Sequence, residues 1–259
     1  MTNVFARPPA LSVNLNKIAL LRNSRDSGVP DLLPFVHVAR AAGAVGITLH
    51  PRPDERHIRP ADVTAIAETM APWRPGFELS LEGYPEARFF DICAEVRPEQ
   101  VTLVPDAPEA RTSDHGWVMD ERERAVIAAA MARLRPLGCR IVLFAETDAA
   151  AIERIADAGA TGIELYTGPY ANSFRRGEAV EAMLETFTEA GRVAQRRGLS
   201  VNAGHDLNLA NLPALVAHLP HLAEVSIGHE LVADALLFGM RDAIVAYRSA
   251  LGQPIEEHP

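Results

Sequence analysis

The chain has 259 residues, 48% of them hydrophobic and 23% charged, with a formal net charge of −9. That apolar fraction can build a sizeable core and argues against disorder, while a mean hydropathy of 0.00 with no apolar run near about 18 residues argues against a membrane span. An acidic chain is a poor partner for nucleic acid or anionic lipid, so an anionic ligand would need a locally cationic site.

The opening MTNVFARPPALSVN has neither the apolar stretch nor the cleavage pattern of a secretion signal, so the expected location is the cytoplasm. Cys93 and Cys139 each sit inside an apolar pattern and are expected as reduced core thiols. A first strand is expected over 11–16 (LSVNLN), followed by the basic residues Lys17, Arg22 and Arg25. The stretch ARAAGAVGITLH at 39–50 shows a helix closing on Gly and a β-branched strand following it. Pro60-Ala61-Asp62 then signals a helix start, and FELSLE (77–82) and QVTLVP (100–105) read as strands. Asp120 before ERERAVIAAAMARL and Asp148 before AAAIERIADAG are helix caps, flanking the strand in LGCRIVLFAE (137–146). The Gly-then-strand pattern returns in ADAGATGIELYT (156–167), RGLSVNAGH (197–205) and EVSIGH (224–229).

About eight strands alternating with helices imply parallel pairing through right-handed crossovers, and that number closes into a (β/α)8 TIM barrel with a parallel eight-stranded core. No GxGxxG or P-loop follows the first strand, which counts against an open nucleotide-binding sheet. No linker divides the sequence, so residues 1–259 are expected to form one domain. The longest break in the pattern falls at about 106–118.

In such a barrel the polar residues at the C-terminal strand ends converge on one face. In chain order these are Asn14, Asn16 and Lys17; His50 and Arg52; Glu82; Asp106; Glu146; Thr167; His205; and Gly228 with His229. His50 closes GITLH, where an imidazole titrating near neutrality can exchange a proton, although a capping histidine fits the residues equally well. Glu78 and Glu82 fall on the same side of an alternating strand, so one of them is expected to face the lumen with a raised pKa, as a general base requires. His205 in VNAGHDL is the second proton-transfer candidate. Gly228-His229 opens a helix after the last strand, where free backbone N–H groups suit a phosphate. Lys17, Arg22 and Arg25 supply local positive charge for a second one.

Together VNLNKIALLRNSR, GITLHPRPDERHI, LEGYPE, VTLVPD, IELYTGPYA, VNAGHDL and SIGH resemble the pyridoxine 5′-phosphate synthase family in order and spacing, over residues 11–239. The resemblance implies a (β/α)8 enzyme condensing 3-amino-2-oxopropyl phosphate with 1-deoxy-D-xylulose 5-phosphate into pyridoxine 5′-phosphate, with release of phosphate and water. It implies no metal or organic cofactor, a homo-oligomer, and intermediates that must be kept from water, for which the segment of about 106–118 is the expected lid. It makes His50 and Glu82 proton acceptors and His205 a proton donor. It also makes Asn14, Arg52, Gly228 and His229 substrate contacts, with Arg25, His57 and Thr112 on the deoxyxylulose phosphate side.

The sequence departs from the family pattern in two places. Asn16-Lys17 stands where Asp-His is common, so substrate contacts there differ. Asp206 follows the catalytic histidine where glycine is common; its N–H can still meet substrate, but a carboxylate repels phosphate and is expected to point outward. Two other readings stay open at this stage: a metal-dependent barrel hydrolase or isomerase using His50, His57, Glu82 and His205, and a non-catalytic barrel that binds a phosphorylated ligand.

Overall fold

The computed structural model describes residues 7–106, 113–219 and 221–255. Eight parallel strands close in sequence order: β1 (Ala10–Asn14), β2 (Gly46–Leu49), β3 (Glu78–Gly83), β4 (Gln100–Leu103), β5 (Arg140–Ala145), β6 (Gly162–Tyr166), β7 (Ser200–Gly204) and β8 (Leu222–Ile227), with β8 paired to β1. The expected (β/α)8 barrel is present. The expected strands fall on the observed ones to within a few residues, β4 stopping at Leu103 and β8 at Ile227, two residues short of each expected end.

The expected helix starts also hold. Asp120 Oδ1 accepts from the Glu123 N–H at 2.8 Å, and Asp148 Oδ1 from that of Ala150 at 2.8 Å, so each satisfies a backbone donor that the first helical turn leaves open. Asp62 Oδ2 accepts from the Arg59 N–H at 2.8 Å and closes the start of the helix Pro60–Met70. What the periodicity did not separate is a second helix in three of the units. Asn16–Asn23 precedes Leu33–Ala41, Gly168–Arg175 precedes Glu181–Arg196, and His229–Phe238 precedes Met240–Ala250. Among the described residues no helix is long and apolar enough to cross a membrane.

The strands bury opposite chemistries on their two faces. Val13, Ile47, Leu79, Val101, Ile163 and Val225 have no exposed surface and belong to the apolar core. The intervening residues fill the lumen with polar side chains in place of the branched apolar ones usual in such barrels. Toward the strand starts, Arg140 donates to Glu78 Oε1 at 3.0 Å and Oε2 at 2.5 Å. Gln100 Oε1 accepts from Arg140 and from Asn202, and Gln100 Nε2 donates to Glu224 Oε1 at 3.2 Å. Higher up, Ser12 and Thr48 share a 2.6 Å hydrogen bond, and Thr102 donates to Glu164 Oε2 at 3.4 Å. Such a polar column is stable only because its members pair with one another across the barrel.

Candidate active site

At the C-terminal ends of the strands a cavity of about 570 Å³ opens, a size that suits a small-molecule ligand. Its wall includes Asn14, Asn16 and Lys17 from the first unit, His50, Arg52 and His57 from the second, Glu82, His205 with Asp206, and Gly228 with His229. Most of the strand-end residues therefore assemble into one wall, contributed by residues far apart in sequence.

Glu82 is held by Asn14, whose Nδ2 donates to Glu82 Oε2 at 3.3 Å. Asn14 is itself oriented by its Oδ1, which accepts the Asn16 N–H at 2.9 Å. Burial, reinforced by Asp106, pushes the Glu82 carboxyl up to about 7, against a smaller opposing effect of His205. A carboxyl there passes between acid and base near neutral pH. Glu78 and Glu82 both project into the lumen, as their shared side of the strand implies. Their separation along β3 puts Glu78 in the lower network with Arg140 and Glu82 at the mouth.

His50 lies 3.9 Å from Glu82 through its Nδ1, and its backbone N–H donates to Asn16 Oδ1 at 2.9 Å. Burial, with His57 and Arg52 nearby, holds its pKa well below the usual imidazole value, so the ring is neutral and able to accept a proton. The Asn16 side chain thus acts on the position of His50, while the Lys17 side chain lines the cavity. His57 is brought down to about 4 by burial, then by Arg52 and Lys17. Its Nδ1 accepts the Ile58 N–H at 2.9 Å, which assigns the ring proton to Nε2.

Arg52 pairs with Asp106 at 2.9 Å, and only 3% of either side chain is exposed. Asp106 also accepts from the Ser113 hydroxyl at 2.7 Å. A carboxylate so engaged is a support for Arg52 more than a substrate ligand. Gly228 precedes the helix His229–Phe238, whose first N–H groups have no partner within the helix, and a Cβ at Gly228 would sit 3.0 Å from Asn14 Oδ1. Glycine therefore lets the phosphate-suited turn close against the residue that holds Glu82.

Several expected groups serve other ends. Arg22 is committed to Asp62, at 2.5 and 2.8 Å, and to the His57 carbonyl, and it supports the loop that carries His57. Arg25 is exposed and is not part of the cavity wall. Glu146 accepts the Gly116 N–H at 3.2 Å, and Thr167, fully buried, lies 2.7 Å from the Gly204 carbonyl. Thr112 lies outside the described residues, as does 107–112 of the expected lid. Asp206 does not point outward: its Oδ2 lies 3.1 Å from His205 Nδ1, and the attraction of the imidazole outweighs any tendency to turn to solvent.

Several wall residues went unnamed at the sequence level, Glu164 among them. Glu164 is buried in mid-strand, and burial, followed by Glu82 and Glu224, raises its carboxyl well above the usual range. Its Oε1 occupies the place a Cβ would take at Gly204. The signal was present in GIELY, where a glutamate falls on the inward parity of an otherwise apolar strand.

The profile of the family described as "Pyridoxal phosphate biosynthesis protein PdxJ" matches residues 11–253. Similar proteins include the pyridoxine 5′-phosphate synthase of Chelativorans sp. (strain BNC1), 49% identical over 94% of this chain and 98% of its own length. Those of Agrobacterium fabrum and Brucella suis are 47% and 48% identical, covering 95% and 94% of this chain and 98% and 99% of their own. Among solved structures, tryptophan synthase from M. tuberculosis superposes with a TM-score of 0.62 at 13% identity, covering 94% of each chain, which reflects the shared fold alone.

Proposed function

Since this chain belongs to the PdxJ family and is an enzyme making pyridoxine 5′-phosphate, we propose that His50, Glu82 and His205 carry its proton transfers, on one domain whose single mouth holds both phosphorylated substrates. The observation that carries this reading is the convergence of a neutral imidazole, a carboxyl near 7 and a second imidazole on the wall of one cavity.

The condensation needs an amine to add to a ketone, water to leave, an enol to form, phosphate to be eliminated and the ring to close. Each step moves a proton on or off carbon, oxygen or nitrogen, which one fixed group cannot do. His50, neutral and next to Glu82, accepts a proton; the ionised form of Glu82 accepts the next; His205, farther round the mouth, returns one to the leaving oxygen. Among the described residues no three His, Cys, Asp or Glu side chains are grouped to hold a metal ion, and this reading routes no step through one. The Gly228-His229 turn takes one phosphate, and Lys17 with His57 and Arg52 faces the other.

The substrates are phosphorylated small molecules, and we place the enzyme in the cytoplasm, consistent with Cys93 and Cys139 being buried free thiols. It works as a homo-oligomer. Supporting this, Leu236, Leu237 and Phe238 are 76%, 78% and 52% exposed on a helix packed beside the one carrying the exposed Leu20 and Leu21. Sedimentation that finds only monomer at micromolar concentration removes the oligomer. The function itself is tested by incubating the protein with 3-amino-2-oxopropyl phosphate and 1-deoxy-D-xylulose 5-phosphate: pyridoxine 5′-phosphate and free phosphate appear together. A folded protein yielding neither refutes the assignment.

A further inference from the structure

The turn after β7 holds two consecutive residues in the left-handed region, His205 at φ +88 and Asp206 at φ +58. Asp and His tolerate that region better than most side chains, but each still strains the backbone, so the surrounding contacts must hold the turn. They do. The Thr167 hydroxyl lies against the carbonyls of Gly204 and His205, Asn211 Nδ2 donates to the Asp206 carbonyl at 3.2 Å, and Leu207 is fully buried behind it. Glycine would meet the backbone demand at 206 with less strain. The aspartate is therefore not explained by the turn.

Its carboxylate is explained by what it faces. Asp206 Oδ2 lies 3.1 Å from His205 Nδ1, and the edge of the Tyr166 ring meets the same imidazole with centroids 5.1 Å apart at 83°. The charged neighbours come from several elements. From the helix Gly168–Arg175 comes Arg175, which pairs with Glu230 at 2.9 Å; from the helix His229–Phe238 come Glu230 and His229; from the segment after β4 comes Asp114, which pairs with His115 at 2.7 Å; and from β3 comes Glu82. Glu230 thus has Arg175, and Asp114 has His115, at contact distance, whereas Asp206 turns to His205.

We propose that Asp206 is a positioning residue for His205, holding the imidazole by Nδ1 so that Nε2 is the nitrogen that exchanges the proton and the charged ring is kept ready to donate it. The inference rests on His205 being the proton donor of the proposed function. A fixed carboxylate beside one ring nitrogen selects the tautomer and stabilises the imidazolium that donation requires. The reciprocal effect is visible on the carboxyl, which the close contact with His205 holds below its usual pKa. Hence Asp206 serves this site through the histidine and not by gripping phosphate, which its charge would repel.

The test uses Asp206→Asn and Asp206→Gly, since both residues accept the left-handed backbone while removing the charge. The imidazole of His205 is titrated by NMR in each protein, its signal assigned with His205→Asn, and kcat and KM are followed across pH. The expected result is a His205 midpoint lower by about one pH unit in both variants, the low end for an adjacent opposite charge because the pair is partly solvated. The alkaline limb of kcat moves down with it, leaving kcat about tenfold lower above both limbs, with KM within about twofold and circular dichroism unchanged. Coincident His205 titrations in wild type and Asp206→Asn overturn the proposal, as does an unmoved alkaline limb. Failure of the wild type to make product refutes the proposed function instead, and the NMR titration still decides whether the pair exists.

Discussion

Glu224→Gln is expected to stabilise the protein at alkaline pH and to do so less in acid. Glu224 sits on β8 near the start of the strand, 92% removed from solvent, and its Oε1 accepts from Gln100 Nε2 at 3.2 Å. Burial, then Glu78, raises its carboxyl to about 7 from an ordinary 4.5, in spite of Arg140. A raised carboxyl contributes stability fully below the unfolded pKa, and that contribution is lost as pH rises through the folded one, because the folded state then carries a charge it holds poorly. The displacement corresponds to about 3 kcal/mol, an order-of-magnitude figure, fully lost above about pH 8. At pH 5.5 roughly 1.4 kcal/mol is already lost, since the unfolded carboxyl is mostly ionised there. The stability difference between variant and wild type should therefore grow by about 2 kcal/mol between pH 5.5 and 8.5. The glutamine keeps an oxygen for Gln100. Equilibrium urea unfolding of both proteins at the two pH values measures the difference. A gap that does not widen with pH, or a variant less stable by the same amount at both, refutes the reasoning and shows that Arg140 keeps Glu224 ionised in the fold.

The remaining predictions concern the mouth. His205→Asn should leave the circular dichroism spectrum unchanged and lower kcat by about 10²- to 10⁴-fold, the range for a lost acid/base group, and wild-type turnover would remove it from the catalytic set. Since Glu82 titrates at about 7 and must be ionised to accept a proton, kcat/KM should rise with pH through that value. Glu82→Gln should lower kcat on a similar scale and abolish this acid limb; a limb that survives belongs to another group. Gly228→Ala puts a Cβ 3.0 Å from Asn14 Oδ1 and should raise KM for phosphorylated substrate by about tenfold while weakening inhibition by inorganic phosphate in parallel, and unchanged KM and inhibition would take the phosphate away from this turn.

The fold was legible because each unit announces itself locally: Gly closing a helix, β-branched residues following, and an aspartate such as Asp120 or Asp148 capping the next helix. These signals act over a few residues, so a linear reading captures them. The site was legible only as a list of strand ends, because the barrel rule brings His50, Glu82 and His205 to one face whatever lies between them. Side-chain commitments were not legible. That Arg22 serves Asp62, that Glu146 holds Gly116 and that Asp206 turns to His205 are each decided by partners as many as 40 residues away or by a backbone turn that no periodicity encodes. Glu164 is illegible for a related reason: it lies in mid-strand, and a lumen this polar exposes mid-strand residues to the cavity as well as strand ends.

That polar lumen also bears on the chemistry at its mouth. Glu164 is raised by Glu82 and Glu224, and Glu82 in turn by Glu224, so ionising any one of them makes the next ionisation harder. The carboxyls therefore titrate as a coupled set, and macroscopic pKa values read from a rate profile belong to the set as a whole. Burial and its carboxylate neighbours raise Glu164 well above the ordinary carboxylate range while Glu82 is raised to about 7, and this sets the two apart within one column. An apolar lumen would bury Glu82 as well but would lack the second carboxyl that keeps a proton close by. Replacing Glu164 with glutamine should accordingly leave the Glu82 limb of the pH profile near 7, because burial and Asp106 hold that value up and a neutral amide stands in for a carboxyl that resists ionisation. A limb that falls toward the ordinary carboxylate range in that variant would refute this and assign part of the elevation to charge on Glu164.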